Sequence, residues 1–221
     1  MNKFAAAIPN PKLGSHERAE NAPELKLHPS IRKAIGEPAW LRLPAAVRAR
    51  FADDVTHATY EGSFDVVRAS LAGRWLAFLC RALRSPIAPH TGLHVPATVR
   101  VYPTDNGGMM WEREYRFSGN RTCVVSSVKQ LDERGEFVEA LPMGLRMPLD
   151  VFERDGGLHF VSRGYRFDWG GCSVPIPESW PPGVTHVEHF DEGDGWFRFT
   201  MTVTHRWLGE VYFQTGRFRS I

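Results

Sequence analysis

The apolar and polar positions of this chain follow one period before about residue 93 and another after it. From there on, apolar residues recur at every second position, which is typical of half-buried β-strands. Between most of these segments lie short turns of Gly, Asn and Asp, residues that tolerate the positive φ of tight hairpins. The pattern predicts about nine antiparallel strands, over residues 94–102, 108–117, 122–131, 135–140, 144–153, 158–167, 185–190, 196–207 and 210–218.

The segment before residue 93 is predicted to be mostly helical. Pro44 suits the first position of a short helix, in which Val47 and Phe51 share a face and Arg50 points elsewhere. Residues 59–67 form one more short strand. A longer helix begins near residue 70 and ends at Pro86, since apolar residues recur there every 3.6 positions: Leu71, Trp75, Phe78, Leu79, Ala82 and Leu83.

These elements together predict an α+β protein that is mainly β. We expect a curved antiparallel sheet, open or closed like a barrel, with one or two N-terminal helices packed on it. Residues 1–36 carry few large apolar side chains and should form a flexible arm, followed by a single β-rich domain over 37–221. The longest irregular stretch, 170–183, is a candidate rim loop.

Charge and cysteine content narrow the function classes. The net charge of +2 is too small for the dense basic surface that nucleic acids require. The three cysteines are far apart, which fits a reducing compartment and no disulfide framework. No apolar run is long enough to span a membrane, and Pro9 and Pro11 interrupt the one short run near the N-terminus. We therefore expect a cytoplasmic protein.

The strand at 108–117 places a charge among aromatic residues. Trp111, Arg113 and Tyr115 alternate on what should be its inward face. A buried guanidinium is costly unless it is paired or binds an anion. Arg113 is therefore either an anchor for a carboxylate or phosphate group of a ligand, or one half of a structural ion pair, for which Glu210 is a candidate partner.

The last two strands supply further candidates for a site. His205 lies on the apolar face of the strand at 196–207, as a general base, a ligand contact or an ordinary core histidine. In the final strand, Glu210, Tyr212 and Gln214 share a face. Either that face is exposed to solvent, or the three side chains line a polar cavity.

A cluster at residues 186–189 resembles part of a metal site, but its spacing argues against one. In a strand, His186 and Glu188 point to one side and His189 to the other, so a third ligand would have to come from elsewhere. The chain also has no nucleotide-binding loop and no hydrolase elbow. The sequence therefore predicts no metal site and no cofactor.

Several segments, taken in order, carry a family resemblance: an LPxxVR helix start at Leu43, the W-x-R-x-Y strand from Trp111 to Tyr115, and a terminal G-x-V-x-F-x-x-G hairpin from Gly209 to Gly216. In this order they resemble the bacterial domain of unknown function 4166 family, over about residues 38–218. The resemblance implies that Arg113 and the final hairpin are family features. It supplies no catalytic residue, but it implies a dehydrogenase-like partner protein, because such domains also occur fused to dehydrogenase-like ones.

Three hypotheses for function follow. The leading one is a module that binds a small apolar or amphipathic molecule in the concave face of the sheet, through Trp111, Arg113, Tyr115, His205 and Tyr212. The second is an enzyme that acts on an apolar substrate in the same cavity, with His205, Glu188 or Glu210 as acid or base. The third is an accessory interaction domain of a dehydrogenase-like partner.

Overall fold

The computed structural model describes residues 30–75, 87–105, 107–132, 134–170, 172–177 and 183–221. Within these ranges the chain forms the short helices α1 (Ile31–Ile35), α2 (Glu37–Arg42) and α3 (Ala45–Arg50), a helical segment at 71–75, one turn of 3-10 helix at Pro142–Gly144, and one antiparallel sheet of twelve strands. The strands are β1 (Ala58–Ala69), β2 (Gly92–Pro103), β3 (Met109–Phe117), β4 (Arg121–Leu131), β5 (Phe137–Ala140), β6 (Leu145–Arg154), β7 (Gly157–Ser162), β8 (Tyr165–Trp169), β9 (Cys172–Ile176), β10 (Val184–Gly193), β11 (Trp196–His205) and β12 (Gly209–Ser220).

Ten of the strands close into a barrel. The sheet order is β5-β4-β3-β2-β1-β12-β11-β10-β7-β6, and β5 also pairs with β6, with Val138 opposite Pro148. Strands β8 and β9 continue from β6 outside the closed ring. Closure leaves the ten barrel strands without free edges and divides their side chains into an inner and an outer set.

The mainly β prediction is confirmed, but the sheet has about twelve strands rather than nine. The segment predicted as one strand at 158–167 is divided at Gly164, whose φ of 107° interrupts the extended backbone and separates β7 from β8. The predicted short strand at 59–67 is β1, a full member of the barrel. Strand β9 lies in the stretch predicted to be irregular. Its side chains are mostly exposed, so this strand does not need the alternation of apolar and polar residues by which the other strands were predicted.

The N-terminal helices begin inside the segment that the sequence assigned to an arm. The Ser30 hydroxyl accepts a hydrogen bond from the backbone N–H of Lys33 and donates one to Asp53, which fixes the start of α1. Ile31 joins the hydrophobic core at 4% exposure. Residues 1–29 of the predicted arm lie outside the described residues.

The long helix expected from residue 70 is helical over 71–75, and its continuation, 76–86, lies outside the described residues. Leu71 and Trp75, which belong to the predicted apolar stripe of that helix, are 78% and 68% exposed. The reason is the close approach of Gly73 to β12, since a Cβ on Gly73 would lie 1.8 Å from the carbonyl oxygen of Val211. The helix start therefore rests on the barrel through its small residues.

Helix α3 covers one end of the barrel, which we call the mouth. Val47 is fully buried, and Phe51, just after the helix, inserts its ring between barrel side chains. The ring centroid of Phe51 lies 6.0 Å from that of Trp111 and 5.0 Å from that of His189. Within the described ranges, no helix has the length and apolar character needed to cross a membrane.

Candidate functional site

The barrel interior is lined by large aromatic side chains, and two small cavities lie among the described ones. Alternation along each strand turns them inward, and at least five are almost fully buried: Phe64, Tyr115, Phe160, Phe199 and Phe218. An inner cavity of about 20 Å³ is bordered by Arg113, His189 and Phe199. An outer cavity of about 30 Å³ near the mouth is bordered by Phe51, Trp111 and Lys129. Each is about the size of one water molecule.

Arg113 is a buried cation with an unsatisfied donor. Its side chain points into the barrel from β3 at 5% exposure, and its Nη1 is fully buried without a hydrogen bond to any described residue. The cross-strand neighbours are Val99 and Val125, so the adjacent strands place no carboxylate directly opposite it. The ring centroid of Phe199 lies 5.9 Å from the guanidinium carbon. An orphaned donor of this kind is costly in the absence of an anion.

The suggested pairing of Arg113 with Glu210 is wrong. Glu210 lies on the outside of the barrel, where its carboxylate is 2.8 Å from the guanidinium of Arg68. The separation follows from the start of β12, where Gly209 and Glu210 are exposed and the alternating inward face begins only at Tyr212.

A buried ion pair lies beside the outer cavity. Lys129 and Glu139 stand directly opposite each other on β4 and β5, with Nζ 3.2 Å from Oε2. Burial opposes ionisation of Glu139, but the charges of Lys129 and Arg113 outweigh it and hold its pKa below the usual range. Burial lowers the pKa of Lys129, and its ammonium rests 5.2 Å from the ring centroid of Trp111.

A further arginine closes the mouth. Arg50, at the end of α3, places its guanidinium carbon 4.0 Å from the ring centroid of Phe197, and its Nε and Nη2 are buried without hydrogen bonds to the described residues. Burial lowers the pKa of Arg50 to about 10, so the group is still charged at neutral pH. The sequence expectation that Arg50 points away from the core is wrong, because it lies three positions after Val47 and shares its side of the helix.

The interior is therefore electropositive. Among the described residues, Arg50, Arg113 and Lys129 bring three cations to the barrel, and Glu139 is the one carboxylate within 4.0 Å of any of them. Asp191, half-buried at the rim, stabilises the charge of Arg50 only from farther away. Such an interior favours a negatively charged group.

His189 adds a neutral hydrogen-bonding group next to these cations. It is 4% exposed, and its Nδ1 is buried without a hydrogen bond in the part of the chain that the structure describes. Burial lowers the pKa of His189 well below 6.5, and the nearby charges of Arg50, Lys129 and Arg113 lower it further. The ring is enclosed by aromatic neighbours at centroid distances of 5.0–6.2 Å: Phe51, Trp111, Phe160, Phe197 and Phe199.

The state of His189 predicts a pH dependence of stability. The pKa of His189 is lower in the folded than in the unfolded chain. Below about pH 6.5, the imidazole is therefore protonated in the unfolded chain while it stays neutral in the folded chain. As the pH is lowered from about 6.5 to the folded-state pKa, the unfolding free energy should decrease by up to about 1.4 kcal/mol per pH unit. Urea titrations from pH 7.5 to 5 should show a shallower loss for His189→Phe. Equal slopes for both proteins would contradict the assignment.

A larger space lies outside the mouth. This mouth cleft has a volume of about 640 Å³ and is lined by α3, the start of β1 and the rim, including Ala46, Ala49, Arg50, Val55, Tyr60 and Phe197. Tyr60 also borders both internal cavities. The cleft is within the size range of small-molecule sites, and Arg50 and Tyr60 line both the cleft and the outer cavity.

The structure brings together four of the five residues predicted to bind a ligand. Trp111, Arg113 and Tyr115 all project inward from β3. The hydroxyls of Tyr115 and Tyr212 both donate to the Oε1 of Gln214, at 3.0 and 2.9 Å, inside the barrel. Tyr212 therefore joins the inner wall through this network.

His205 occupies a different part of the barrel. It ends β11, six residues beyond Phe199, which corresponds to about 20 Å along a strand. Its Nδ1 accepts a hydrogen bond from the backbone N–H of Trp207. The charged groups around Arg113 are therefore not within its reach.

The three candidate acid–base residues do not converge. His205 is buried inside the barrel, Glu210 is exposed beside Arg68, and Glu188 lies on the outer face of β10. An acid–base pair in one cavity, as the enzyme hypothesis required, is not formed by these residues.

Sequence reasoning missed Lys129, Glu139 and Arg50 as interior residues. In β4 the two faces are equally polar, so alternation alone did not show that Lys129 points inward. The opposite charges of Lys129 and Glu139 across the predicted hairpin could have revealed the pair. Directly paired residues lie on the same face of a sheet, so an oppositely charged pair can be buried together.

Comparisons with known proteins place this chain in a family. A solved structure of a variant of the fluorescent protein UnaG shares 14% sequence identity, and the match covers 76% of this chain and 96% of that chain with a TM-score of 0.30. A TM-score this low carries no functional information. The search of curated sequences gave no significant match. The model of the family described as a domain of unknown function (DUF4166) matches residues 43–218, and the chain therefore belongs to that family.

Proposed function

We propose that the barrel binds a small amphipathic molecule that carries one anionic group, with Arg113 as the anchor for that group. The observation that carries the proposal is the buried Arg113 guanidinium, whose Nη1 has no hydrogen-bond partner among the described residues. Leaving such a donor unsatisfied costs about 1–3 kcal/mol, more for a charged group. A carboxylate, sulfate or phosphate oxygen would satisfy it.

The surroundings of Arg113 support an anion and an apolar body together. Lys129 adds positive charge, and the neutral His189 offers a further polar atom. Aromatic rings make up most of the remaining wall of the inner cavity. A ligand that enters with its anionic group first would leave its apolar part against the alanines and aromatic rings of the mouth cleft.

Entry requires movement at the mouth. The two internal cavities are each about the size of one water molecule, so a larger ligand has to displace side chains. Arg50 lines both the mouth cleft and the outer cavity, and Phe51 lines the outer cavity. Both belong to the short α3 segment rather than to the closed sheet. In this proposal, α3 covers the mouth and its side chains move aside when the ligand enters.

A pair of probes that differ only in charge tests this function. Dodecanoate and dodecanol have the same chain, and isothermal titration calorimetry should show saturable binding of dodecanoate at one site and much weaker binding of dodecanol. The contrast follows from the extra interaction of a charged acceptor with Arg113. Equal affinities for the two probes would count against an anion anchor in the barrel.

The two other predicted functions have weaker support. The acid–base enzyme loses its proposed residue set, because Glu188 and Glu210 lie outside the barrel. The accessory role beside a dehydrogenase-like partner stays a prediction.

A further inference from the structure

A second cluster of chemically active side chains lies on the outer face of the barrel, away from the proposed ligand. His159 of β7 and Glu188 of β10 are directly paired across strands, and His186 lies two residues before Glu188 on the same face. Nδ1 of His159 is 3.0 Å from Nε2 of His186 and 3.4 Å from Oε1 of Glu188, and Nε2 of His186 is 3.9 Å from that oxygen.

These separations match a tetrahedral metal site. Metal–ligand bonds of about 2.0–2.1 Å at tetrahedral angles place neighbouring ligand atoms about 3.3 Å apart. The three distances in the cluster lie on both sides of that value. Two imidazoles and a carboxylate are also a ligand set that suits zinc and similar divalent transition metals.

The surroundings of His159 prepare it as a ligand. Its Nε2 is 3.1 Å from the backbone carbonyl oxygen of Arg154, and since a carbonyl only accepts, Nε2 carries the proton and Nδ1 presents a lone pair to the cluster. Metal-bound histidines are oriented in this way by a partner on the other ring nitrogen. Phe152 stacks on the ring at 5.2 Å and Phe190 meets it edge-on at 5.5 Å, so His159 is held in place.

Access to the cluster is open on the other side. The side chains of His186 and Glu188 are 28% and 25% exposed, whereas that of His159 is 2% exposed. An ion could therefore reach the three ligand atoms from solvent without a change in the barrel. Three protein ligands would leave a fourth position for water or another small ligand, as in catalytic rather than structural zinc sites.

We infer that His159, His186 and Glu188 form a binding site for one divalent transition-metal ion of the zinc class, with one coordination position open to solvent. The sequence expectation of no metal site rested on the missing third ligand. His159 supplies it from a neighbouring strand, 27 residues earlier in the chain. The site does not depend on the barrel ligand, because the three side chains face outward.

The test is a titration of chelator-treated full-length protein with Zn²⁺. We expect one equivalent to bind by calorimetry and elemental analysis, and the affinity to fall at least about 100-fold in His186→Gln and in Glu188→Gln, because even outer-shell changes cost 10- to 100-fold. His57→Gln, an exposed histidine elsewhere, and Glu112→Gln, with a similar exposure of 27%, are the matched controls and should bind like the wild type.

The spectrum of the Co²⁺-loaded wild type gives a second measurement that needs no variant. A site of low coordination number should give the intense visible bands of four- or five-coordinate cobalt. Absence of saturable Zn²⁺ binding, an unchanged affinity in both ligand variants, or the weak spectrum of six-coordinate cobalt would each overturn the inference. The His159–His186 contact would then be an ordinary hydrogen bond.

Discussion

Glu139→Gln should lower the unfolding free energy by about 3–5 kcal/mol, the usual cost of removing one partner of a buried ion pair. The substitution keeps the size of the side chain but leaves the ammonium of Lys129 in the barrel without its counter-charge, next to Arg113. Urea denaturation at pH 7 measures the loss. The matched control is Glu112→Gln, on the outside of the barrel beside Arg100, where the loss should stay below about 1 kcal/mol.

A double variant separates the pair from its packing. Lys129→Met with Glu139→Leu removes both charges and should restore stability to about the wild-type value or above it, since buried pairs are often replaced by apolar groups without loss. The wild type should also lose stability as the pH falls below about 4.5. The pKa of Glu139 is lower in the folded than in the unfolded chain, so its contribution is present above the unfolded value of 4.5 and disappears as the pH falls through the folded one. A single variant as stable as the wild type would contradict the buried pair.

Arg113→Met should change stability and binding in opposite directions. Without ligand, the variant should be more stable by about 1–4 kcal/mol, because a buried charge that has an unsatisfied donor and no directly paired carboxylate among the described residues is replaced by an apolar side chain of similar length. Its affinity for dodecanoate should fall at least about 30-fold, which corresponds to the loss of about 2 kcal/mol or more from an anion contact.

The opposite signs make the Arg113 result specific. Replacing a residue that serves only the fold should lower the stability of the protein. A residue kept for ligand binding is instead expected to lower the stability of the ligand-free protein, so its replacement should raise that stability. Arg219→Met, at an exposed position on β12, is the control and should alter neither quantity by much. A destabilised Arg113→Met with unchanged dodecanoate binding would show that Arg113 has a structural role.

The sequence predicted the sheet well because burial alternates along most of its strands. In β3 the alternation of apolar and polar residues is enough to assign Arg113 to the inner face together with Trp111 and Tyr115. Barrel closure was not predictable in this way, since the β5–β6 pairing depends on twist and register rather than on the pattern of one strand.

The candidate sites were predicted only in part for a related reason. Alternation gives the face of a residue but not its neighbours on other strands. The partners Lys129 and Glu139, and the third ligand His159, become visible only once the strand order places β4 beside β5 and β7 beside β10. The interior place of Arg50 depends on the docking of α3, which no local pattern specifies.

The most direct test of an anionic ligand held by Arg113 is native mass spectrometry of the purified wild type and Arg113→Met, prepared side by side. We expect the wild-type protein to carry a small adduct at one copy per chain, which organic extraction releases and negative-ion spectra identify as an anionic amphiphile. The variant should appear at its bare mass. Two bare proteins, or the same adduct on both at equal occupancy, would contradict an anionic ligand held by Arg113.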